Sequence, residues 1–117
     1  MQANNFRKEL KKLLPGLKWT VHNKWSTETL LTATGIVSKG LNRMFTLRVT
    51  RRERKGRKVE YEVKSSGFGA RAPWLAENTD GTLARAVRGL QNYYESMAVE
   101  YGTHEDRLNS ARKKQEG

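Results

Sequence analysis

The 117-residue sequence predicts an α+β fold, with one antiparallel sheet of three to four strands between a short N-terminal helix and a long C-terminal helix, in the order α-β-β-β-β-α. Two observations predict it. The spacing of apolar residues changes from a helical period to a period of two at Leu17, and returns to a helical period from Leu83 onward. Between those points the alternating runs are separated by short polar segments, which join antiparallel neighbours. A chain of this length builds one core, so residues 1–102 are expected to form a single domain and residues 103–117 a polar C-terminal extension or tail.

The elements follow in order. Phe6, Leu10, Leu13 and Leu14 fall on one helical face, Asn4 or Asn5 can cap its start, and Pro15-Gly16 ends it. Leu17, Trp19 and Val21 then alternate with Lys18, Thr20 and His22 as a first strand. After the polar turn NKWSTE, residues 29–37 (TLLTATGIV) read as a second, in which Gly35 marks a bulge or a close backbone approach. SKGLN is a turn. Phe45, Leu47 and Val49, then Val59, Tyr61 and Val63, are the inward positions of a hairpin whose connection contains Gly56. Residues 65–82 read as an irregular connection, and Thr79 or Asp80 can cap a final helix of about five turns carried by Leu83, Ala86, Val87, Leu90, Tyr94, Met97 and Tyr101. Phe45, Leu47, Tyr61, Val63, Leu83, Val87 and Leu90 are the expected core.

The net charge of +11 is confined to one part of the chain. Residues 1–64 hold 16 Lys and Arg against 5 acids, whereas residues 65–117 hold 7 against 7. A localised excess points to phosphate or to an anionic membrane surface, the latter disfavoured because the first helix has no bulky aromatic beyond Phe6. Without cysteine there are no disulfides, thiolate metal sites or thiol nucleophile, which fits a reducing cytoplasm. No segment has the roughly 20 apolar residues that span a bilayer, and the lysine-interrupted N-terminus does not read as a signal peptide. The expected location is cytoplasmic, with no membrane partner.

The first candidate site is the hairpin tip, with Arg51, Arg52, Arg54, Lys55, Arg57 and Lys58 crowded at its end. Mutual repulsion among these cations would be relieved by phosphates, which also release counterions, and a two-stranded ribbon fits a groove. A solvated turn, or charge protecting an edge strand, is the competing reading. Arg7, Lys8, Lys11 and Lys12 of the first helix extend the candidate surface, with Lys18, Lys24, Lys39 and Arg43 as contributors from strand ends and turns.

GFGARA at 67–72 fits the loose dinucleotide fingerprint, but Pro73 and Trp74 follow where a helix should open, and the preceding strands are antiparallel. No cofactor is expected. Phe68, Arg71 and Trp74 are instead candidates for contact with unpaired bases, the two aromatics by stacking, or for a lid folded inward on the core. Two histidines, His22 and His104, lack partners at metal-ligand spacing, and no carboxylate cluster suits magnesium. Neither a metal site nor an enzyme is expected.

GLNRMFTLRV, a hairpin, the GFG turn and the helix TLARAVRGL together resemble a double-stranded-RNA-binding domain over about residues 40–90. The resemblance implies that the loop Gly40 to Arg43 enters a minor groove and that the start of the last helix grips phosphates. There NTDGT stands in place of the family's lysine cluster, and Arg85 and Arg88 come further along. GLKWTVH, KSSGFGARAPW and TDGTLARAVRGLQNYYE also look like segments of small proteins carried by bacterial phages and mobile elements. The leading expectation is a small non-enzymatic nucleic-acid-binding protein that contacts the phosphate backbone through the hairpin tip and the first helix. The alternative is an interaction module of a mobile element, inhibiting a host complex by occupying an acidic host protein surface.

Overall fold

In the computed structural model, which describes residues 1–23 and 26–116, the last three by backbone alone, the chain is an α+β assembly of one sheet and two helices. The elements are α1 (Ala3–Leu13), β1 (Lys18–Val21), β2 (Leu30–Lys39), β3 (Asn42–Arg52), β4 (Glu60–Ser66), β5 (Ala76–Asp80) and α2 (Leu83–Glu116). The strands lie in sequence order β1-β2-β3-β4-β5 and all neighbours are antiparallel.

The sheet thus has five strands rather than three to four. The additional one, β5, pairs with β4 from Tyr61↔Asp80 to Ser65↔Ala76, inside the stretch expected to be irregular. Its sequence AENTD consists mostly of residues disfavoured in strands. Context supplies what propensity lacks: β4 offers a free edge, α2 packs over β5, and the Asn78 side-chain amide donates to the Ala86 carbonyl of α2 at 3.0 Å.

Period-two alternation sorts the strands into two faces. Trp19, Val21, Leu31, Ala33, Leu47, Val49, Tyr61 and Val63 are buried on the face covered by the helices, against Phe6 and Leu10 of α1 and Leu83, Ala86, Val87 and Leu90 of α2. Every expected core residue is buried there except Phe45, which is partly buried at the margin. Trp19 lies flat across Gly35, its Cα partner on β2, and its indole N–H donates to the Leu14 carbonyl at 3.0 Å, tying the end of α1 to the sheet. Gly35 is therefore a site of close approach.

The helix ends differ from expectation. α1 begins at Ala3, with the backbone carbonyl of Gln2 accepting from Asn5 and Phe6, so Asn4 and Asn5 lie within its first turn. The cap of α2 is Thr82, whose hydroxyl accepts from the Arg85 N–H at 3.2 Å, because Thr79 and Asp80 belong to β5. α2 does not stop near Gly102 but continues to Glu116. Gly102 does not adopt the left-handed conformation with which glycine ends helices, and no proline follows it. From Ala98 to Lys113 every residue bearing a side chain is exposed, and the molecule is drawn out to 66 × 38 × 23 Å.

Candidate functional site

Alternation also decides the fate of the cations on β3. Arg51 shares its parity with Leu47 and Val49, so its side chain enters the helix-covered side and is only 8 % exposed. There its Nε donates to the Tyr61 hydroxyl at 3.0 Å, its guanidinium stacks over the Tyr61 ring, and it is paired with Glu53. The Tyr61 hydroxyl donates in turn to Glu9 of α1 at 3.0 Å, and the N-terminal amine lies 3.3 Å from Glu53. Burial opposes the Arg51 charge, but the bonds to Glu53 and Tyr61 outweigh it and hold the guanidinium above its ordinary pKa. The expectation that Arg51 is an exposed phosphate ligand is overturned: it locks α1 to the β3–β4 hairpin.

Arg52 has the opposite parity and lies on the open face, 3.8 Å from Glu60 and 3.5 Å from Glu62. Lys64 beside it is 3.6 Å from Glu62 and 3.5 Å from Glu77. Carboxylates on β4 and β5 therefore neutralise this part of the open face, Arg52 included.

The tip proper remains. Arg54, Lys55, Arg57 and Lys58 are all exposed on a turn closed by Arg57 N–H to the Arg54 carbonyl at 3.0 Å, with Gly56 at a φ of 73°. Among the described residues none of these four cations has an ion-pair partner.

A second basic site, only partly anticipated, lies at the far end of the open face. Residues 67–75 fold back over the sheet, anchored by Gly69 N–H to the Arg43 carbonyl and Leu75 N–H to the Ser65 carbonyl, both at 2.8 Å. Beneath this loop is a pocket of about 270 Å³ lined by Lys18, His22, Arg43 and Arg48, the hydroxyls of Thr20, Thr34, Thr46 and Ser66, and Trp74. Among the described residues no carboxylate lines it. The Arg48 guanidinium stacks on the Trp74 ring at 5.1 Å. Thr46 is only 5 % exposed, yet its hydroxyl has no hydrogen-bond partner among the described residues. His22 Nε2 meets the Thr34 hydroxyl at 2.6 Å, and burial, then the charge of Arg48, hold the imidazole below its ordinary pKa. A cationic, hydroxyl-rich pocket of this kind suits an anionic group.

The remaining candidates are dispersed. Lys8, Lys11 and Lys12 are exposed and Arg7 half-buried on α1, across the sheet from the pocket. Lys39 and Arg71 are exposed, and Lys24 lies outside the described residues. Trp74 joins the pocket, whereas Phe68 is 66 % exposed away from the core, so neither aromatic forms a lid on it. Arg43 and Arg54 are separated by β3 and the turn, roughly 35 Å of extended chain, so pocket and tip are distinct. Arg48, Thr46 and Ser66 escaped notice in the sequence because only parity and strand pairing bring them together.

Among the described residues no group of His, Asp or Glu is arranged to hold a metal ion, and no helix is long and apolar enough to cross a membrane. Neither a protein-family model, nor a curated protein, nor a solved structure matches this chain.

Proposed function

We propose that the protein is a non-enzymatic nucleic-acid-binding protein that grips the phosphate backbone. Arg54, Lys55, Arg57 and Lys58 of the β3–β4 tip form its principal contact. The observation that carries this reading is their isolation: four exposed cations on one turn, with no internal carboxylate partner among the described residues. Each phosphate they neutralise relieves their mutual repulsion and releases counterions. Lys18 and Arg43 of the open-face pocket provide a second phosphate contact, with Trp74 beside them as an aromatic surface for a base.

The test is the salt dependence of binding. Gel shifts with duplex DNA, single-stranded DNA and duplex RNA should show log affinity falling with log salt at a slope of about −3 to −4 for the four tip phosphates, steeper by up to about one unit for each pocket contact. Replacing Arg54, Lys55 and Arg57 together by Ala should weaken binding similarly for all sequences. It should flatten the slope by up to about one unit per lost contact, while stability changes by less than about 0.5 kcal/mol. No binding at low salt, or lost stability with unchanged binding, would refute the proposal.

A further inference from the structure

The 4-3 spacing that carries Leu83, Val87 and Leu90 of α2 onto the sheet does not end where the sheet ends. It continues through Tyr94, Met97, Tyr101, His104, Leu108 and Ala111. That is a heptad seam, with Tyr94, Tyr101 and Leu108 at one core position and Met97, His104 and Ala111 at the other. Tyr101 is 64 % exposed and Leu108 67 % exposed, on a stretch of helix whose side chains from Ala98 to Lys113 are all exposed among the described residues. A solitary helical segment of this length is marginal in water, because helices in proteins draw most of their stability from packing an apolar face.

Where the seam leaves the sheet it borders an apolar groove of about 760 Å³ between the end of α1 and α2, lined by Leu14, Leu17, Val37, Phe45, Leu90 and Tyr94. Seam and groove are continuous through Tyr94.

The charges along the same stretch are segregated. Between residues 95 and 106 there are four acids, Glu95, Glu100, Glu105 and Asp106, and no Lys or Arg. Between 107 and 113 there are three cations, Arg107, Arg112 and Lys113, and no acid. Two such helices laid parallel would set like charges side by side, whereas laid antiparallel they set acids against cations. One antiparallel alignment also satisfies the seam. It places Tyr101 opposite the second copy's His104, Met97 opposite Leu108, and Tyr94 opposite Ala111, where a large residue meets a small one. The same alignment brings Glu100 beside the opposite Arg107 twice, once on each side of the two-fold axis along one flank of the pair.

We propose that the occupant of this seam is a second copy of the chain: the C-terminal halves of two α2 helices pair antiparallel about Gly102, which sets Ala111 of each against Tyr94 at the edge of the other's groove. The inference is independent of nucleic-acid binding.

The absence of cysteine makes the test direct. Light scattering on the full chain at roughly 100 µM, above the micromolar limit of typical specific interfaces, should give twice the 13.4 kDa chain mass. Leu108→Glu should return it to the mass of one chain with an unchanged far-ultraviolet spectrum of the sheet. Oxidising a mixture of the single variants Met97→Cys and Leu108→Cys should give mixed cross-linked dimers. Either variant oxidised alone should give few, since the two positions lie roughly 16 Å apart along a helix. A single-chain mass for the native protein, or efficient cross-linking of either variant with itself as a parallel pair requires, would overturn the proposal.

Discussion

Gly35→Ala is expected to destabilise the protein, although alanine is the better residue in a strand. A Cβ at position 35 would lie 2.9 Å from the Trp19 ring, closer than carbon atoms pack, so the indole must retreat by about half an ångström to regain ordinary contact. The indole has little freedom to do so. It is only 8 % exposed and its N–H is committed to the Leu14 carbonyl at 3.0 Å. Overpacking of this kind costs about 1 to 3 kcal/mol, and weakening the indole bond adds up to about 1 kcal/mol. Relief of glycine's backbone entropy returns about 0.5 to 1 kcal/mol. The net loss is centred on about 2 kcal/mol, within limits of about 0 to 3.5 kcal/mol, which is roughly 8 °C in Tm at the centre for a chain of this size. Urea and thermal unfolding followed by circular dichroism would measure it. The decisive comparison is the Trp19→Ala background, in which the collision is gone and Gly35→Ala should become neutral or stabilising. An equal loss in both backgrounds would place the cost in the backbone and refute the role assigned to the indole.

Leu90→Ala should cost about 2 to 5 kcal/mol in urea unfolding, toward the lower end because Leu90 borders the apolar groove and the site can partly collapse; an unchanged midpoint would mean that α2 does not pack on the sheet through this face. Acid should weaken the fold in two steps. His22 titrates below its ordinary value of 6.5 through burial and the Arg48 charge, so its contribution is complete above 6.5 and is lost as the pH falls through the folded-state pKa. Glu53, lowered from 4.5 by its bond from Arg51 and then by the N-terminal amine, loses its contribution in the same sense at lower pH. Urea midpoints measured from pH 8 to pH 3 should decline in both windows, with His22→Gln removing the first decline and Glu53→Gln the second; a midpoint that rises between pH 7 and pH 5 would contradict the His22 assignment.

What the sequence made legible was whatever periodicity determines. The hairpin, the core face and the exposed turn around Gly56 all follow from alternation and from one glycine between two apolar runs. Two elements escaped because their causes are not local. β5 is a strand because β4 has an open edge and α2 covers it, and nothing in AENTD announces either fact. The far half of α2 reads as a tail because it is polar, yet its exposed apolar residues keep the heptad spacing of the buried ones before them. Thr79 and Asp80 do not cap α2 for the same reason, since both belong to β5.

The cations show how much further the same alternation reaches. From Arg48 to Arg52, odd positions of β3 face the helices and even positions face the open side, so Arg51 and Arg52, adjacent in sequence, part company at the backbone. One becomes a buried tie between α1 and the hairpin. The other is neutralised by glutamates of β4. Arg48, with Arg52's parity but nearer the β1 side, instead meets Trp74 under the folded loop. A net charge of +11 therefore overstates the charge free for a partner, because cations already held by internal carboxylates gain little from phosphate. Of those left over, two groups lie at opposite ends of β3, in the turn around Gly56 and in the pocket at Arg43, and the others are scattered over α1 and the loops. Binding through the turn alone would leave the pocket residues without effect on the salt slope, whereas a strand that follows the open face would register the loss of Arg43 as well as that of Arg54.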